Sequence, residues 1–135
     1  MKTKKRDGRM RAIRTPAVTI APFEKGSVPI LALASTVIRT FWFADADAAN
    51  AAVVEEVWIE TTNIVSNGGV PGELLQPPTF VFNDPIEMML DLRSFGIRPG
   101  QSVRVVVLNI GREPLKVVLQ ALVDTQLYAV KRMDP

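Results

Sequence analysis

The sequence predicts an all-β protein, an antiparallel β-sandwich of jelly-roll or immunoglobulin-like type with a flexible basic N-terminal arm. Short apolar runs with a two-residue alternation recur along the chain, and Gly, Pro and Asn turn signals separate them. No sustained helical period appears outside one alanine-rich patch. A doubly wound parallel sheet would therefore have too few helices to cover it.

A chain of 135 residues suits one domain and buries a core without covalent staples. Its apolar fraction of 47% and charged fraction of 22% are those of an ordinary globular protein, so folding is the expectation. There is no cysteine and no histidine. Disulfides, thiolate nucleophiles, the usual zinc sites, the commonest general base and the commonest transition-metal ligand are thereby excluded. No catalytic residue, metal or cofactor is assigned, and the chain is read as a non-enzyme. No apolar run approaches a membrane span or a signal-peptide core, so a soluble protein made in the cytoplasm, without a membrane partner, is expected.

Charge divides the chain into an arm, residues 1–15, and a body, residues 16–135. Lys2, Lys4, Lys5, Arg6, Arg9, Arg11 and Arg14 oppose only Asp7, giving the arm a charge of +6. The rest of the chain carries 9 basic and 13 acidic side chains, so the body is mildly acidic. Like charges at this density repel and form no core, and the arm is expected to order only on a partner. Nucleic-acid phosphates, bound without sequence preference, or an acidic neighbouring subunit would serve; a solubilising tail needs neither. The arm has no aromatic residue with which to stack on bases. These seven basic residues are the predicted contact site.

In the body, 17–23 places Val18 and Ile20 on one face, and Pro22 and Gly26 close it. Residues 30–43 read as one long strand, apolar on both faces through Ile38, Phe41, Trp42 and Phe43, as a strand covered on both sides requires. Residues 44–52 are alanine-rich and read either as a short helix, with Asp45 as its N-cap, or as an exposed excursion. Alternation resumes over 53–65, a Gly/Pro loop covers 66–78, and strands are expected at 79–82, 86–92, 102–110 and 115–130. Trp42, Trp58, Met88, Met89 and Phe95 are expected in the core. The double-sided apolar run 115–130 exceeds what one solvent-facing sheet needs, so part of it should meet another chain.

Motifs that would mark a site are weak. Pro99, Gly100, Gln101, Ser102 and Val103, leading to Asn109 and Gly111, resemble the turn and strand of cupredoxin-like and immunoglobulin-like sandwiches, yet the missing His and Cys rule out a blue-copper centre. Asn67, Gly68 and Gly69 lack the lysine and helix start of a phosphate loop. Asp45, Asp47, Glu55 and Glu56 do not match a calcium loop, and nothing sets Glu60, Glu87 and Asp91 at hydrolase spacing.

A basic arm carrying Lys2, Lys4, Lys5, Arg6, Arg9 and Arg11, followed by a β-sandwich without catalytic chemistry, resembles small virion proteins of bacteriophages and other viruses. The resemblance is one of layout and spans the chain. It implies a structural subunit located in the virion, of capsid, minor capsid or decoration type, forming a homo-oligomer and contacting copies of itself or another coat protein. Two other readings stand beside it: a nucleic-acid-associated binding module that uses the arm, and a carbohydrate-binding sandwich with Trp42, Trp58 or Tyr128 as a stacking platform.

Overall fold

The structure, a computed structural model, describes residues 8–65, 69–76 and 90–126. The chain begins with β1 (Gly8–Arg14) and β2 (Val18–Ile20), then β3 (Lys25–Ile30) and β4 (Thr36–Phe43). A five-residue helix α1 (Ala46–Asn50) leads into β5 (Ala52–Ile59), β6 (Thr62–Asn63) and β7 (Val70–Pro71). After 3₁₀ turns at Gly72–Leu75 and Leu92–Phe95 come β8 (Val103–Asn109), β9 (Leu115–Val117) and β10 (Leu119–Gln126).

All pairing is antiparallel, and the fold is all-β. One layer is the sheet β1-β10-β4, prolonged by the pair β2-β9; the other has the order β3-β8-β5-β6, with β7 also on β5. Alternation explains the inward faces. Val103, Val105 and Val107 of β8 and Val28 and Ile30 of β3 meet Ile38, Phe41, Phe43, Leu119, Ala121 and Val123 in one apolar cluster. The helix is capped as its sequence predicts: the Asp47 backbone N–H donates to the Asp45 carboxylate.

Several expected strands are subdivided. The stretch 30–43 is broken by residues 31–35, where the Thr36 N–H donates to the Leu33 carbonyl and the Ala32 N–H to the Ser102 hydroxyl. One turn hydrogen bond and one to a distant loop thus override a continuous apolar pattern. The stretch 53–65 is a hairpin turning at Glu60 and Thr61, with Ile59 paired to Thr62. The last strand divides at Val118, where the Thr15 N–H bonds the Leu119 carbonyl and the Leu119 N–H bonds the Thr15 hydroxyl. The expected strand 79–82 and most of 86–92, with Met88 and Met89, lie outside the described residues; Leu92 opens a 3₁₀ turn.

The largest departure concerns the arm. Residues 8–14 are strand β1, paired over seven positions with β10 from Gly8↔Gln126 to Arg14↔Gln120, so the body starts at Gly8 rather than at 16. Charge does not prevent this pairing, because Arg11 and Arg14 stay exposed while the backbone groups of β1 that face β10 are paired with it. As expected, β4 is buried at all eight positions.

Two buried polar residues make side-chain ties, one between the layers and one within the first sheet. Asn109, with no exposure, donates to the carbonyls of Ile20 (3.0 Å) and Glu113 (2.8 Å) and accepts from the Gly111 N–H (2.9 Å). Arg39 occupies a bulge in β4, where the register to β10 shifts between Leu122↔Thr40 and Val123↔Ile38. Its Nη1 lies 3.3 Å from the Asp124 carboxylate and 3.5 Å from the Met10 sulfur, which joins β1, β10 and β4.

Candidate functional site

Of the predicted contact residues, Lys2, Lys4, Lys5 and Arg6 lie outside the described residues. Arg9, Arg11 and Arg14 all lie on β1, at the end of the order β1-β10-β4. Strand alternation puts Arg11 and Arg14 on opposite faces, so these two do not form one stripe of charge.

The aromatic residues are redistributed relative to expectation. Trp42 is buried and its indole N–H donates to Gln120 at 2.8 Å. Trp58 faces outward from the second sheet because it alternates with buried Val57 and Ile59; it is half-buried, donates to Glu56 at 2.7 Å, and carries the Arg104 guanidinium 5.3 Å from its ring centre. Neither tryptophan is an open platform for a sugar, and Tyr128 lies outside the described residues. Phe95, expected in the core, is half-exposed at the end of its 3₁₀ turn.

The acidic residues are dispersed or paired. Among the described residues no group of three or more acidic side chains is placed to hold a metal ion. Asp91 receives the Arg93 guanidinium in a two-pronged contact at 3.1 and 3.2 Å, and this hydrogen bonding holds its carboxyl below the ordinary value of 3.8. Lys25 bridges to Glu55 at 3.1 Å across the outer face of the second sheet.

Loops at the two ends of the sandwich hold what the sheets do not absorb. At one end, where Gly8, Thr36, Ile59 and Val103 begin or finish their strands, Leu31 (72% exposed), Leu33 (68%) and Phe95 project. A cleft of about 500 Å³ opens there, lined by Ile59, Ile64, Phe95, Glu60, Arg98 and Gln101 among others. Arg98 is positioned by Gln101, whose side-chain carbonyl accepts from the Arg98 N–H at 2.8 Å. Glu60 has φ +57°, an uncommon conformation for a residue other than Gly, Asn or Asp. At the other end Phe23 (66%), Ile110 and Leu74 are exposed. Those six are the large apolar side chains exposed among the described residues, and all belong to end loops.

No sequence signal marked Phe23, Leu31 or Leu33, because apolar residues beside a strand pattern read as strand. Comparison with known proteins finds no matching family model, no matching curated protein and no matching solved structure.

Proposed function

We propose that this protein is a non-enzymatic assembly subunit, and that its place is in a virion as a capsid, minor capsid or decoration component. The observation that carries this reading is the segregation of exposed apolar side chains to the sandwich ends. The core is already filled by the inward faces of both layers, so Phe23, Leu31 and Leu33 contribute nothing to it and are left in water on an isolated chain. Association removes them from water at about 25 cal/mol per Å² of apolar area.

The basic segment favours a second reading, a module held to nucleic acid by charge. Arg11 and Arg14 are exposed on an edge strand, and the first seven residues add four basic side chains. The deciding experiment is the solution mass of the full chain and of a variant starting at Gly8, at low and high salt, with and without nucleic acid. The truncation stops before β1, since removing residues 8–14 would strip a strand from the sheet. Discrete assemblies of the full chain without nucleic acid support the assembly reading. Two monomers, of which only the full chain shifts on adding nucleic acid, replace it with the second.

A further inference from the structure

We propose that β1 takes up an extended segment of another protein as a further strand of the first sheet, a segment bearing two carboxylates three residues apart that face Arg11 and Arg14. This contact is independent of the exposed end loops. β1 ends the order β1-β10-β4, and no described strand lies on its other side. Arg11, Ala12 and Arg14 are exposed, so this edge meets water. Its pairing with β10 runs from Gly8↔Gln126 to Arg14↔Gln120 without a bulge, and β1 contains no proline. An unbroken, exposed edge is a template for strand addition.

The register tells which backbone groups are free. In an antiparallel ladder, successive residues alternately point their N–H and C=O at the partner and away from it. The Thr15 N–H donates to the Leu119 carbonyl at 2.9 Å and continues the register of β1, so Ile13 and Arg11 also face β10. Met10, Ala12 and Arg14 therefore turn their N–H and C=O outward, where an added strand can bond them.

Charge selects the kind of strand. Among the described residues neither the Arg11 nor the Arg14 guanidinium has an ion-pair or hydrogen-bond partner. β10 offers them none: Val123 stands opposite Arg11, Gln120 stands opposite Arg14, and Asp124 is taken by Arg39. The open side is where carboxylates can be added. Arg11 and Arg14, three residues apart, face opposite sides of the sheet. A strand laid alongside alternates in the same way, so two of its residues three apart lie across from both arginines. A phosphate backbone running along one face reaches only one of them. A second copy of β1 fits worse, because it brings further arginines and no carboxylate to the same sheet.

The test titrates the isotopically labelled full chain with a seven-residue peptide of valine and threonine bearing glutamate at its third and sixth positions, and with the same peptide bearing lysine there. Amide exchange is read by NMR. In the free chain the Met10, Ala12 and Arg14 amides should exchange readily while those of Arg11 and Ile13 are protected. The glutamate peptide should protect the first three, and the lysine peptide should not. Ala12→Pro removes the central outward N–H and spares the pairing with β10, a position at which an edge strand tolerates proline. Its melting temperature should stay close to that of the wild type while peptide binding falls at least about 10-fold. Arg11→Glu/Arg14→Glu, at two exposed positions, should weaken the glutamate peptide by about 10-fold and favour the lysine peptide instead. Equal binding of the two peptides by the wild type overturns the proposal, as does an absence of protection at millimolar peptide. A single-stranded oligonucleotide that protects the β1 amides where neither peptide does also overturns it, and makes this edge a nucleic-acid site.

Discussion

Asn109→Ala removes a buried side chain that ties the end of β2 to the loop following β8, and its cost follows from the structure. The amide is fully buried; its loss leaves the Ile20 and Glu113 carbonyls and the Gly111 N–H without this partner. At about 1 kcal/mol for each bond, with partial relaxation of the exposed loop around Glu113, the destabilisation is about 3 kcal/mol. For a chain of this length that corresponds to a fall of about 10 °C in melting temperature, with the urea slope unchanged. Asn109→Asp separates the donor role from the acceptor role. The acid still accepts from the Gly111 N–H, but an ionised carboxylate then faces two carbonyl oxygens. Burial and these oxygens raise its folded pKa above the unfolded value, so the penalty is largest at neutral pH and diminishes as pH falls through the raised pKa. Equilibrium urea unfolding of both variants at neutral and mildly acidic pH is the assay. A loss under about 1 kcal/mol for Asn109→Ala, or a pH-independent penalty for Asn109→Asp, would refute the argument that the amide is buried and triply bonded.

Asp124→Ala should cost about 3 kcal/mol by leaving the Arg39 guanidinium, only 9% exposed, without its counter-ion. The double variant Arg39→Met/Asp124→Leu should recover most of that loss, as a double-mutant cycle by urea unfolding would read. Arg93→Ala should lower stability at neutral pH by about 0.5 kcal/mol, since the bridge to Asp91 is half in water. Because Asp91 is held below its ordinary 3.8, the bridge stabilises above that value and is lost as pH falls through the folded pKa, so wild type and variant should converge in strong acid. Gly72→Ala would drive a methyl group into the carbonyl oxygens of Ala49 and Ala52, which belong to backbone and cannot swing away; a loss of at least about 2 kcal/mol in thermal or urea unfolding is expected.

The class of fold and the chemistry excluded were legible in composition and local pattern alone. A two-residue alternation such as Val103, Val105 and Val107 is a local property, and it fixes which face of a strand is buried without reference to its partner. Asp45 as a helix cap was equally legible, since the bond spans two residues. The features that could not be read in this way are non-local. The basic run looked unable to join a fold, because self-repulsion is visible in sequence whereas a partner strand more than a hundred residues away, β10, is not. The same holds for Arg39 and Asp124, brought together by a bulge that no pattern announces. It holds also for the end surfaces. Phe23 and Phe95 are apolar letters like any in the core, and their exposure follows from where turns place them. Hydrophobicity states what a side chain prefers; only the packed chain settles which side chains are left without burial, and those are the ones available to a partner.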